Sequence, residues 1–155
     1  MLRQSNFKLL KSQIYNSSRR TFALKTFNAS VTMENNHSMA KLSDVSLDIK
    51  QPLEMMMGVL GSCEIHTIQF HAGKNKINLD KVEIKIKAEY DVDYFLGIKQ
   101  GRNTYSYIDI EVDVHSKEND KKKLGEIIEK AMQTCPVAST IRLAGIKMNE
   151  KINYL

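Results

Sequence analysis

The chain has 155 residues, 42% apolar and 26% charged, the composition of one ordinary globular domain long enough to bury a core. Its formal charge of +5 sits in the leader: residues 1–30 hold Arg3, Lys8, Lys11, Arg19, Arg20 and Lys25 and no acid, leaving 17 basic and 18 acidic residues for the rest. A nearly neutral body argues against a nucleic-acid-binding face, which needs clustered positive charge, and no run approaches the ~20 apolar residues of a membrane span.

Residues 1–30 are rich in Arg, Ser and Asn and free of acid, the composition of a mitochondrial transit peptide. Phe7, Leu10 and Ile14 would share one helical face, with Arg3, Lys8 and Lys11 beside it. Arg20-Thr21-Phe22-Ala23 resembles a matrix-processing site with cleavage after Phe22. The expectation is a mitochondrial protein, in the matrix above all; the alternative is a disordered basic tail. The expected division is a leader over 1–30 and a folded body over 31–155.

Residues 31–33 and 45–49 alternate briefly and are expected to be strands, with the turn chemistry of Asn35, Asn36, His37 and Ser38 between them. Residues 21–27 offer a further strand if the leader is retained. Residues 51–73, QPLEMMMGVLGSCEIHTIQFHAG, form the one long, mostly apolar helical segment. Pro52 stands near its start, where its missing N–H costs nothing. Leu53, Met56, Met57, Leu60, Ile65, Ile68 and Phe70 go most of the way round, which marks a central, buried helix. Gly58, Gly61 and Ser62 lower helix propensity, by up to ~1 kcal/mol per glycine, so a close neighbour is expected against them. Gly73 is the expected stop.

Residues 82–90, VEIKIKAEY, alternate strictly between apolar and charged and form a strand with one wet face. Residues 91–103, with Gly97 and Gly101, are an irregular loop. Residues 105–115 alternate again and pair antiparallel with 82–90. Asn119 or Asp120 caps a helix in which Leu124, Ile127, Ile128, Ala131 and Met132 hold amphipathic spacing. Cys135 shares that apolar side, and Pro136 ends or kinks the helix. Residues 146–154 return to partial alternation as a last strand. This order gives an α+β fold with helices covering an antiparallel sheet.

Cys63 and Cys135 do not suggest a structural disulfide framework in a matrix-type compartment; they are inert buried thiols or a functional pair. The run from Gln51 to Cys63, QPLEMMMGVLGSC, resembles the P-x-E-L-L-x-A-L-G-x-C motif of the OsmC/Ohr family, the osmotically induced and organic hydroperoxide resistance proteins. Cys135-Pro136-Val137-Ala138-Ser139 resembles that family's second motif, C-P-V-S, and a D-x-V-E-I-x-I strand lies between them at 80–86. The resemblance covers about 31–155 and is closer to the P-x-E-L-L branch than to the main peroxidase branch. It implies antiparallel sheets, a long buried central helix carrying Cys63, a second helix ending at Cys135, and an intertwined homodimer with sites at the subunit interface. It also implies that Cys63 attacks an organic hydroperoxide as a thiolate and that Cys135 resolves the sulfenic acid as a disulfide. No metal or organic cofactor is then needed, only an external dithiol reductant.

The residues depart from the peroxidase branch in two places. That branch activates its first cysteine with an arginine from the N-terminal strands, held by a glutamate beside the motif's proline. Here no arginine stands between Arg20 and Arg102, and Leu53 occupies the glutamate's position with Glu54 one residue later. Lys41, Arg102 and Arg142 are the candidate substitutes, although lysine lacks arginine's planar fork. These departures keep a second function open: a catalytically degenerate OsmC-like domain serving as a structural subunit of a large mitochondrial complex. A third is a binding module for a small hydrophobic ligand at the dimer cleft. His66, three residues after Cys63, is a candidate base for it, set against a plain packing role. Zinc binding by Cys63, His66, His71 and Cys135 lacks finger-like ligand spacing. Met55, Met56 and Met57 suit adaptable packing better than a copper site, and Lys121, Lys122 and Lys123 suit a solvated helix start.

Overall fold

The computed structural model describes residues 29–34, 37–41, 46–48 and 50–155. They fall into two units divided after Lys50. In the first, β1 (Ser30–Glu34), β2 (His37–Lys41) and β3 (Ser46–Asp48) form an antiparallel sheet in that order. Val31 stands opposite Ala40, and Ala40 opposite Leu47. His37 and Ser38, expected in a turn, instead open β2. Both pair with β1, His37 opposite Glu34 and Ser38 opposite Met33, and that ladder outweighs weak turn propensity. Residues 1–28 of the leader, with the strand expected over 21–27, and Asn35, Asn36, Val45 and Ile49 lie outside the described residues, while Ser30 of the leader opens β1.

The second unit starts with α1 (Pro52–Lys74) and continues through β4 (Lys81–Tyr90), α2 (Val92–Phe95), β5 (Tyr105–His115), α3 (Lys121–Thr134), α4 (Pro136–Leu143) and β6 (Lys147–Tyr154). Pro52 occupies the first turn of α1. The helix does not stop at Gly73. It ends where the Asn75 side chain donates to His71 O at 2.7 Å and Lys76 turns left-handed at φ 58°. The expected loop over 91–103 contains the short α2, capped by the Asp91 side chain, which accepts from Asp93 N at 3.0 Å.

β4 and β5 pair antiparallel, with Ile84 opposite Val112 and Ile86 opposite Ile110. β6 lies on the far side of β5 and runs parallel to it, where an antiparallel sheet was expected. The reason is the connection: two helices intervene between β5 and β6, and such a crossover returns the chain in the same direction. α3 begins as expected at Asp120, whose side chain accepts from Lys123 N at 2.9 Å.

Period two gives the sheet two unlike faces. One carries Ile84, Ile86, Ile108, Ile110, Val112 and Val114 toward α1 and α3, where Leu60, Ile68, Leu124, Ile128 and Met132 are fully buried. Gly61 lets α1 approach this face closely, since a Cβ there would sit 3.3 Å from Ile86 Cδ1. The other face is laced with polar pairs: Lys85–Asp113 and Lys151–Glu111, each 2.9 Å, with Asn153 donating to both acids. Half of α1 is left uncovered, although its composition predicted burial on several sides. Leu53, Met56, Val59 and Phe70 are 46%, 40%, 53% and 66% exposed.

Stability should follow this division. Ile128→Ala is expected to lower the unfolding free energy by about 2–5 kcal/mol through lost burial and a residual cavity. Lys151→Ala, at a solvated pair, should cost no more than ~1 kcal/mol. Urea denaturation of the two variants measures both.

Candidate functional site

Cys135 is placed by the proline that follows it. A residue before proline is pushed toward extended backbone, and Cys135 has φ −61° and ψ 120°. It is therefore the last cap of α3 and the first of α4, with Pro136 opening the new helix. The thiol at this corner is fully buried. Burial pushes it above the ordinary thiol range; the Ala138 and Val137 amides at the start of α4 favour its thiolate, while a side-chain hydrogen bond with Cys63 and that thiol's charge disfavour it. No disulfide joins the two cysteines in this structure.

Cys63 arrives from the other side. It is half-buried on α1 and packs against the core beside that corner. Thr67 Oγ1 donates to Cys63 O at 2.8 Å, which steadies the helix there. The fold thus brings together two thiols that are far apart in sequence. One is partly open to solvent and the other enclosed. Adjacent thiols of this kind can give up two hydrogens to an oxidant and become a disulfide.

The other candidate residues sit elsewhere. Arg102 Nη2 donates to Ala144 O at 2.7 Å. Arg142 Nη1 donates to Met132 O at 3.1 Å, and its Nη2 pairs with Glu150. Lys41 belongs to the N-terminal unit. His66 is exposed, with Nδ1 donating to Ser62 O at 2.8 Å, so its own helix engages one ring nitrogen. His71 Nε2 lies 3.0 Å from Thr134 Oγ1 and ties α1 to α3. Glu54 lines a cavity of about 430 Å³ near the start of α1, with Leu53, Met57, Lys87, Tyr90 and Tyr105. Tyr105 Oη donates to Leu53 O there at 3.0 Å. Among the described residues, no three His, Cys, Asp or Glu side chains are arranged to hold a metal ion.

One residue of the neighbourhood is absent from the motif-based reading. Glu64, next to Cys63, is 0% exposed, and neither carboxyl oxygen has a hydrogen-bond partner. Burial, with help from the Glu150 charge, pushes its pKa up to about 7; Arg142 pulls the other way. A signal for it was present. Glu64 lies four residues from both Leu60 and Ile68, on the face that those two fix as buried.

The pattern of the OsmC-like protein family matches residues 48–151. Among solved structures, the chain is similar to an OsmC-like protein from Mycoplasma pneumoniae, with a TM-score of 0.74 and 16% identity over 84% of this chain and 98% of that one. It is similar also to an organic hydroperoxide resistance protein OsmC from Legionella pneumophila, with a TM-score of 0.60 and 16% identity over 84% and 98%. The organic hydroperoxide resistance protein OhrB of Bacillus subtilis gives a TM-score of 0.57 and 16% identity over 84% and 100%. At these identities the likeness concerns the fold. No curated protein sequence matches the chain.

The buried carboxyl gives a pH dependence of definite sign. Glu64 holds its proton more tightly folded, to about pH 7, than at its ordinary value of 4.5. Its contribution to stability is therefore full below the unfolded value and is lost as pH rises toward the folded one, by up to about 3 kcal/mol. Glu64→Gln cannot ionise, so the stability gap between wild type and variant should shift in the variant's favour between about pH 5 and about pH 8. Chemical denaturation at the two pH values reads that shift.

Proposed function

Because the chain belongs to the OsmC-like protein family, we propose that it is a thiol-dependent peroxidase that reduces organic hydroperoxides with Cys63 and Cys135. The observation that carries this reading is the meeting of a half-open Cys63 with an enclosed Cys135 at the α3–α4 corner. The more accessible thiol suits the first attack. Cys63 thiolate displaces alkoxide from the O–O bond and becomes a sulfenic acid, and the alkoxide takes a proton to leave as an alcohol. The Cys135 sulfur then attacks the Cys63 sulfur; its proton and the sulfenic hydroxyl leave as water, and a disulfide forms. An external dithiol reduces that disulfide by exchange. No metal or organic cofactor takes part.

The working unit in this reading is a homodimer. Leu53, Met56, Val59 and Phe70 leave large apolar side chains exposed on one side of α1, and exposed apolar surface of this kind suits a protein partner. The acid-free leader supports action in the mitochondrial matrix after its removal, with 31–155 as the working domain.

A second reading rests on a specific observation. Arg102 and Arg142 are engaged by Ala144 O, Met132 O and Glu150. A domain whose two arginines among the described residues are engaged by these other groups suits a structural subunit of a large mitochondrial assembly.

One equivalent of cumene hydroperoxide should give an intramolecular Cys63–Cys135 disulfide, seen by mass spectrometry as the loss of two hydrogens, and Cys63→Ser should abolish peroxide consumption. A protein that neither loses mass nor consumes peroxide would favour the structural-subunit reading. For the dimer, Val59→Glu is expected to shift the chain from dimer to monomer in analytical ultracentrifugation, since it places an unpaired charge on an apolar contact.

A further inference from the structure

Three groups lie near one another where α1 packs on α4. Glu64 is enclosed with both carboxyl oxygens unpartnered, the only such buried side-chain oxygens among the described residues. Arg142, in α4, reaches back to Met132 O with one nitrogen and to Glu150 on β6 with another. Met132 lies in the last turn of α3, three residues before Cys135. The guanidinium therefore ties the end of α3 to β6 and holds the Cys135 corner in place. Its charge, and that of Glu150, also reach Glu64.

Among the described residues, the other elements packed on α1 bring no charge to Glu64. β4 meets α1 at Gly61 through Ile84 and Ile86. α3 offers apolar side chains, apart from Thr134, which engages His71 further along α1. Among the described residues, the charged groups that act on Glu64 are Glu150 and Arg142. A carboxylate formed at Glu64 would thus have one cation within reach among the described residues, Arg142, and an uncompensated buried carboxylate is strongly disfavoured. Arginine fits such a role, because its forked guanidinium stays charged and can exchange one carboxyl partner for another.

We infer that Arg142 is a two-position latch. With Glu64 protonated it bridges Met132 O and Glu150; when Glu64 releases its proton to solvent, the guanidinium transfers to the new carboxylate and lets go of the Cys135 corner. Cys135 then reacts faster above the Glu64 titration than below it, whatever oxidant or partner the thiols meet. The tendency of Glu64 to stay protonated up to about pH 7 places the changeover near neutrality. Glu64 and Arg142 are positioning residues in this scheme, acting on Cys135 through the corner.

The test uses the full chain carrying Cys63→Ser, so that iodoacetamide labels Cys135 alone and no peroxide is involved. Its outcome is thereby independent of whether the protein is a peroxidase. Alkylation rates, each divided by the Cys135 thiolate fraction read from ultraviolet absorbance, are compared with those of the same chain also carrying Glu64→Gln, from about pH 6 to about pH 9, so that thiol ionisation is removed from the ratio. The ratio should rise from near one to about tenfold, as expected for losing a charge-assisted hydrogen bond at the corner. Its midpoint should coincide with the Glu64 titration followed by carbon-13 NMR of the carboxyl group. Adding Arg142→Met should make Cys135 fast at every pH and abolish the effect of Glu64→Gln. A ratio that is flat with pH, as a purely structural role of Glu64 would give, overturns the latch. So does a midpoint away from the Glu64 titration, or an effect of Glu64→Gln that survives without Arg142.

Discussion

Pro136 cannot continue a helix that ends at Cys135, because its ring would clash with the preceding turn and its nitrogen has no proton to donate. Its effect on the residue before it matters more here, since it forces Cys135 into extended backbone and turns the chain into a second, short helix. Were the helix continuous, Cys135 would be one more residue on the apolar stripe of α3. The break instead makes it a corner that packs against α1. There its sulfur meets Cys63 on one side and the first amides of α4 on the other.

The same corner explains why the sheet is mixed. α3 and α4 together form the crossover that carries the chain back, so β6 joins β5 in parallel. That placement brings Glu150 to the row of Ile110 and Ile86, on the face that the helices cover. Arg142 reaches it from α4. The ion pair thus joins the end of the chain to the cysteine corner. Glu64 is fully buried beside it in a helix otherwise apolar on that side. A buried charge without a partner is costly, and holding the proton avoids that cost. A carboxyl that ionises near neutrality is therefore a consequence of packing, from a residue type that usually ionises far lower.

Local pattern made much of the molecule legible. β4 and β5 were readable because strict alternation over nine or more residues has no helical counterpart. α3 was readable because its apolar spacing is regular and Asp120 supplies a cap. The two cysteines were singled out by their motifs. α4 was not foreseen, since eight residues after a proline show too little periodicity to distinguish a helix from a loop. β2 was partly taken for a turn because His37 and Ser38 have weak strand preference, and their pairing with β1 decides the matter. Glu64 was passed over because a carboxylate beside a motif cysteine suggests a solvated residue until the packing of Leu60 and Ile68 shows otherwise.

By itself, then, the sequence determined which segments are strands with one wet face, where α1 and α3 begin, and which two sulfurs matter, because those features depend on neighbours a few residues away. Tertiary structure decided what surrounds the sulfurs. It set the direction of β6, the enclosure of Cys135, the engagement of Arg102 and Arg142 with distant carbonyls, and the protonated state of Glu64 below neutrality. Each of these depends on which groups are removed from water and which charges are left within reach, and only the packing of elements remote in sequence fixes that.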